Sequence, residues 1–192
     1  MEIAIEQNNS RNKIHPQKFA LLVGCGSLLM MFSAFTSAYI VRQSGGNWLE
    51  FPLPQVFTYS TLTIILSSIT LHGSYLSFKK GNEALYKGLL LATFFLGILF
   101  FVFQFQGWQA LADMGVPFTL HPAGDFVYMI SWVHAAHVLG GIAILAVAMI
   151  HAFGLKFKVT KKRTLRFNLS LTYWHFVDLL WVYLFLFLTL YR

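Results

Sequence analysis

The 192-residue chain is too apolar for a water-soluble domain: 57% of its residues are hydrophobic and 11% are charged, under half the share usual in soluble domains. Five stretches of more than twenty residues lack Asp, Glu, Lys and Arg, apart from Asp178 in the fifth, and helices of that length cross a hydrocarbon core of about 30 Å. The formal charge of +7 does not indicate a nucleic-acid partner, because the cations cluster at alternate ends of these stretches.

The pattern predicts an all-α membrane protein, a bundle of five transmembrane helices. The runs are continuously apolar, whereas barrel strands alternate polar and apolar residues, and a helix satisfies its own backbone hydrogen bonds in lipid. We expect a cytoplasmic tail at residues 1–17 and one transmembrane domain at residues 18–192. Its predicted spans are residues 18–41, 55–78, 85–106, 126–153 and 169–191.

The first span carries small residues at a spacing of four, a pattern that lets helix backbones approach closely in lipid. These residues are Ser33, Ala34, Ser37 and Ala38. The single cysteine, Cys25, lies in the same span and is interpreted as a small packing residue.

The second span is rich in Ser and Thr and ends at a basic hairpin with Gly81 and Asn82 at its turn. The third span is dominated by Phe and is predicted to face lipid in part. The loop that follows, residues 107–125, contains no Lys or Arg and is predicted to lie outside.

The cations divide 12 to 2 between the two sides of the predicted membrane. Three fall in the N-terminal tail, three in the second loop and six in the fourth loop, against only Arg42 and Arg192 opposite. The positive-inside rule therefore predicts a cytoplasmic N-terminus and a periplasmic C-terminus. The fourth-loop cations could also contact anionic lipid headgroups; they are Lys156, Lys158, Lys161, Lys162, Arg163 and Arg166.

Polar residues within the fourth and fifth spans form a candidate site, because such residues are costly in lipid and each suggests a function. His134 and His137 lie three residues apart on the fourth span, and His175 and Asp178 repeat that spacing on the fifth. Trp174, Asp178 and Trp181 fall on one helical stripe. His72 and His151, close to cytoplasmic lysines, are interpreted as interfacial residues.

The residues alone leave three interpretations of this polar cluster open. The histidines could bind haem b or a metal ion, as in a membrane cytochrome that carries electrons itself. They could form a proton relay in a small proton-coupled transporter. They could instead form hydrogen bonds between helices that hold the bundle together. If the fourth and fifth spans are neighbours, Asp178 reaches the level of His137. We then expect His137, or failing it His134, to donate to Asp178, the alternative being a Trp or backbone donor from a partner subunit.

The motifs of these two spans resemble cytochrome c oxidase subunit III. Residues 173–181, YWHFVDLLW, are similar to the family signature YWHFVDxxW, and residues 134–141, HAAHVLGG, are similar to HGLHVxxG with Ala135 in place of Gly. Residues 115–119, 124–128 and 32–39 also resemble family sequence. The resemblance extends from Phe19 to the C-terminus.

The resemblance implies a non-catalytic structural subunit of a haem–copper terminal oxidase in a bacterial inner membrane, supporting cytochrome c oxidation, oxygen reduction and proton translocation. It implies no catalytic, cofactor-binding or metal-binding residue in this chain, and haem and copper in the partner subunits I and II. It implies subunit I as the main partner, phospholipid contacts, and a place for the oxidase in a larger respiratory supercomplex. Related subunits serve quinol oxidases and nitric oxide reductases.

One departure from the family concerns proton uptake. Many members carry a carboxylate in the helix that corresponds to the first span here. It would fall near Leu28, but the first span contains no Asp or Glu. A role in proton uptake based on that carboxylate does not carry over to this chain.

Overall fold

The computed structural model describes residues 15–191, so Arg11, Lys13 and most of the predicted tail, together with Arg192, lie outside the described residues. Five α-helices are present, each long and apolar enough to cross a membrane. They are α1 (Pro16–Ser44), α2 (Val56–Lys79), α3 (Glu83–Asp113), α4 (Pro122–Gly154) and α5 (Lys161–Leu190). The predicted all-α architecture of five membrane-spanning helices is confirmed.

Local signals explain where the helices begin. Pro16 occupies the first turn of α1, where a missing N–H costs nothing. The Asn82 side chain accepts a hydrogen bond from Leu85 N at 3.2 Å, and the Thr160 hydroxyl accepts one from Arg163 N at 3.3 Å. Gly81 has a φ of +78° in the tight turn between α2 and α3, a conformation that favours glycine.

Helices α2, α3, α4 and α5 form a ring, and α1 lies outside it in the groove between α4 and α5. In the apolar segment of each helix, half of the α5 residues are buried, but only 17% of the α1 residues. Helix α5 therefore contributes most to the core, and α1 is peripheral. The face of α1 that packs on the bundle carries Phe32, Thr36 and Tyr39. The four small residues at positions 33, 34, 37 and 38 are exposed.

Two predicted loops are shorter than expected because their flanking helices continue. Helix α3 runs on to Asp113 through Gly107, where an added Cβ would lie 2.9 Å from a ring carbon of Phe57 on α2. Helix α5 begins at Lys161, so four of the six predicted loop cations, Lys161, Lys162, Arg163 and Arg166, lie in its first two turns. The prediction that all six lie in a loop is wrong, because a capped helix can extend beyond the hydrocarbon.

The α2–α3 hairpin is a seam of small and hydroxyl-bearing side chains. Its buried α2 residues recur at alternating spacings of three and four, which places them on one helical face. Three cross-helix contacts illustrate it: Gln104 Nε2 donates to Ser60 Oγ at 3.2 Å, the Thr70 and Thr93 hydroxyls lie 2.9 Å apart, and Ser74 Oγ donates to Tyr86 O at 2.9 Å. Small side chains bring the two backbones close, and the hydroxyls bond across the seam to an amide, a second hydroxyl and a backbone carbonyl.

Candidate functional site

The two tryptophans of α5 lie at the centre of the ring and each joins several helices. Trp174 is 2% exposed, and its Nε1 donates to Ser67 Oγ on α2 at 3.0 Å. Its ring lies between Gly97 of α3 and Gly141 of α4, where an added Cβ would come within 3.1 and 3.0 Å of ring carbons. The two glycines are therefore what make room for the indole.

Trp181, two turns further along α5, repeats this arrangement one layer away. Its Nε1 donates to Thr61 Oγ1 on α2 at 3.0 Å. Its ring packs edge-on against Phe100 of α3, with ring centres 5.4 Å apart, and lies 4.9 Å from the ring of His134 on α4. The predicted stripe on α5 is thus directed into the core, where it contacts α2, α3 and α4.

His134 is fully buried in a cage of aromatic rings. Phe32 of α1 and Phe100 of α3 approach its ring at 6.1 Å between centres, and Trp181 covers one of its faces. Neither ring nitrogen has a hydrogen-bond partner among residues 15–191. His134 therefore packs as an aromatic side chain and does not form the interhelical hydrogen bond that the sequence predicted.

His137, one turn away, uses its side chain locally. Its Nδ1 lies 2.7 Å from the carbonyl oxygen of Val133 on the same helix. A side chain of α5 joins the two helices at this level: the Tyr173 hydroxyl donates to the backbone carbonyl oxygen of His137 at 3.0 Å. The sequence prediction named the correct helix pair but not the groups that join it.

His175 and Asp178 are grouped with α2 and not with α4. The Ser68 hydroxyl hydrogen-bonds to His175 Nδ1, and Ser68 also lies beside the Asp178 side chain. Asp178 is 4% exposed, and its Oδ2 has no partner within residues 15–191. The predicted hydrogen bond from His134 to Asp178 is wrong, and the structure shows none from His137, because the polar face of α5 is turned towards α2.

His72 extends this polar group in a way that the sequence did not predict. Its ring lies 5.7 Å from the ring of His175, centre to centre, and the residue is exposed on the outside of α2. The interpretation as an interfacial residue overlooked this contact. Ser68 and His72 are four residues apart and share a face of α2, so His175, which bonds to Ser68, also lies close to His72.

No group of three or more His, Cys, Asp or Glu side chains in the described part of the chain is arranged to hold a metal ion. The free thiol Cys25 is buried in α1. A haem on His134 would have to displace the three rings that enclose it, and the Nδ1 atom of His175 is already hydrogen-bonded to the Ser68 hydroxyl. The arrangement of these residues favours helix-to-helix bonding over ligation.

A basic groove lies at the end of the bundle where α4 ends and α5 begins. Its cavity has a volume of about 710 Å³. Its walls are apolar, including Ile144, Val147 and Phe167, and its mouth carries Lys162, Arg163 and Arg166. Arg163 Nη1 donates to the carbonyl oxygens of Lys156 and Lys158 at 2.9 and 3.4 Å, which folds the short connection over the groove.

The fold and this site define a multi-pass helical membrane protein with a polar layer inside its bundle. The sequence model of the family described as cytochrome c oxidase subunit III matches residues 23–192. The chain therefore belongs to the cytochrome c oxidase subunit III family, and the family and its relatives support a subunit III of a haem–copper oxidase.

Curated relatives extend this comparison across distant organisms. A probable cytochrome c oxidase subunit 3 of Mycobacterium tuberculosis is 26% identical over 183 residues, covering 92% of this chain and 89% of the relative. Cytochrome c oxidase subunit 3 of Pongo abelii is 27% identical over 186 residues, covering 88% of this chain and 67% of the relative. That of Pisaster ochraceus is 30% identical over 129 residues, which is 66% of this chain and 47% of the relative.

Proposed function

We propose that the chain is a non-catalytic structural subunit, which binds no haem or metal and stabilises the subunits that oxidise cytochrome c, reduce oxygen and translocate protons. The observation that carries this proposal is how its intramembrane polar groups are used. Trp174, Trp181 and His175 each bond to a hydroxyl on α2, and the Tyr173 hydroxyl bonds to an α4 carbonyl. Groups bonded to one another in this way hold helices together.

A visible spectrum of the purified chain tests this proposal against a haem-binding cytochrome. We expect no Soret absorbance, because the family pattern requires no ligating pair of histidines and three aromatic rings enclose His134. A stoichiometric b-type spectrum that disappears in His134→Ala or His175→Ala would overturn the structural role.

Deleting the chain tests its place in the oxidase. The partners we propose are subunit I, as the main contact, and subunit II, in a bacterial inner membrane with the N-terminus in the cytoplasm. The core that remains after deletion should still reduce oxygen when freshly prepared, but should lose activity sooner during turnover because surface covered by the bundle becomes exposed. Loss of haem reduction in an assembled core would indicate electron transfer through this chain instead.

Mass spectrometry of the complex purified from native membranes identifies those partners. The expected set contains oxidase subunits I and II, and the same experiment tests membership of a larger respiratory supercomplex. Purification without any oxidase subunit would contradict the proposed function.

We also propose that the basic groove binds an anionic phospholipid. Its apolar walls suit acyl chains, and the Lys162 and Arg166 side chains at its mouth are exposed and suit a headgroup phosphate. Native mass spectrometry of the chain with phosphatidylglycerol should show a bound lipid that is lost in Lys162→Gln/Arg166→Gln. The control Lys79→Gln/Lys80→Gln removes two charges at the end of α2, outside the groove. Equal loss in both variants would show non-specific attraction only.

A further inference from the structure

Helix α5 lies at the floor of an open groove between α1 and α2. It packs against both of these helices, while α1 and α2 do not pack against each other. The uncovered stripe of α5 runs through exposed residues at spacings of seven, four, three and four, which keep to one helical face; they are Thr172, Leu179, Tyr183, Leu186 and Leu190. From the first to the last the stripe is about 27 Å long at 1.5 Å per residue, which is close to the thickness of the hydrocarbon core.

One wall of this groove is polar at a depth where lipid offers no hydrogen bonds. His72 lies seven residues before Lys79, the last residue of α2, and therefore about 10 Å from that end of the helix. Its side chain is exposed and makes no hydrogen bond within residues 15–191. It packs against the ring of His175. A histidine side chain is too short to reach the headgroups from that depth.

The exposed imidazole is the outer end of a polar chain that leads into the groove wall. His72 lies against His175, His175 hydrogen-bonds to Ser68, and Ser68 lies beside Asp178. His175 and Ser68 are half-buried, and Asp178 is buried with one carboxyl oxygen unpartnered in the described chain. Polar groups in contact with acyl chains carry a large desolvation cost, so a chain of this kind is stable when something polar covers it.

We propose that this groove is the docking site for a transmembrane helix of a partner subunit, which presents at least one side-chain hydrogen-bond donor or acceptor to His72 and its neighbours. A stripe that extends the full thickness of the membrane fits a helix. Acyl chains would cover Leu179 but would leave the imidazole unpaired, so lipid does not satisfy the site. The proposal rests on the proposed function only in taking the partner to be an oxidase subunit.

Photocrosslinking in native membranes tests the proposal with a control of similar exposure on a helix outside the groove. A benzophenone amino acid replaces Leu179, which is 70% exposed and twelve residues from Phe167 at the basic end. The control replaces Phe95 on α3, which is 59% exposed and twelve residues from Glu83 at the same end. We expect a protein adduct with an oxidase subunit from position 179 and only lipid adducts from position 95.

Each outcome decides between partners. Lipid adducts alone from position 179, an adduct with a second copy of this chain, or equal protein adducts from both positions would overturn the docking site. These results leave the proposed function standing if the chain still co-purifies with the oxidase. An adduct with a membrane protein that is not an oxidase subunit would support the groove as a docking site and contradict the proposed function.

A second measurement tests the role of the imidazole itself. His72→Leu should weaken retention of the chain in the purified oxidase by about threefold or more, the effect expected for one hydrogen bond between membrane helices. The control is His151→Leu on α4, an exposed histidine that bonds to the Val147 carbonyl of its own helix at 2.7 Å. Equal retention of the two variants would contradict a polar contact at His72.

Discussion

Replacing Gly141 with alanine should destabilise the bundle, whereas the same change at Gly140 should not. A Cβ at position 141 would lie 3.0 Å from two ring carbons of Trp174, about 0.5 Å closer than an unstrained carbon–carbon contact. At position 140 the nearest atom is the Tyr173 hydroxyl at 3.8 Å, an ordinary contact. The two substitutions add the same methyl group to adjacent residues of one helix, so helix propensity cancels in the comparison.

The indole of Trp174 cannot move away freely. Its Nε1 is held by Ser67 at 3.0 Å, and Gly97 lies close to the ring from α3. Overpacking of this kind costs about 1–3 kcal/mol, while alanine in place of glycine recovers up to about 1 kcal/mol in a helix. We expect Gly141→Ala to be less stable than Gly140→Ala by about 1–3 kcal/mol.

Unfolding of the purified chain in mixed micelles, titrated with a denaturing detergent, measures this difference. Gly141→Ala combined with Trp174→Phe should lose less stability than the sum of the single changes, because the smaller ring makes room for the methyl group. Equal stability of Gly140→Ala and Gly141→Ala would refute the reasoning that Trp174 lies in a gap created by glycine.

Three further predictions concern single groups. His134→Phe should leave the unfolding free energy unchanged or raise it, since both ring nitrogens are unpaired among the described residues and an apolar ring of similar shape fits the cage. A loss comparable to that of His134→Ala, about 2–5 kcal/mol, would contradict this. In a double-mutant cycle, Trp181→Phe and Thr61→Val should couple by about 0.6–2 kcal/mol, and independent effects would show that the 3.0 Å bond contributes nothing. An impermeant thiol reagent on intact cells should label Asn47→Cys but not Lys161→Cys, and the opposite result would reverse the proposed topology.

The sequence alone determined the number and type of the helices. Each apolar run is long enough to cross the membrane and has no charged interruption apart from Asp178 in the fifth, which predicts a helix, because a helix forms all of its backbone hydrogen bonds within itself in lipid. The same reasoning selected the important positions on α5, since the stripe containing Trp174, Asp178 and Trp181 is a matter of helical periodicity within one element. The family could also be identified from the motifs that contain those residues.

Sequence reasoning could not choose the partners of these side chains. In water an apolar stripe marks the buried face, but lipid is as apolar as a helix surface, so hydrophobicity does not show which face of a span meets which neighbour. Depth in the membrane therefore pairs Asp178 with His137, or failing it with His134. The structure placed His134 among aromatic rings and Asp178 beside Ser68 of α2.

Only the tertiary structure decided what the small residues do. Helical periodicity does not show which glycine of a span faces Trp174: Gly97 and Gly141 lie against its indole, whereas a Cβ at Gly88 would meet nothing within 4 Å and one at Gly140 only the Tyr173 hydroxyl at 3.8 Å. The polar chain from His72 to Asp178 likewise joins two helices that are about a hundred residues apart along the chain. Such contacts depend on how the helices are rotated about their own axes, and that rotation is set by the packing of the whole bundle.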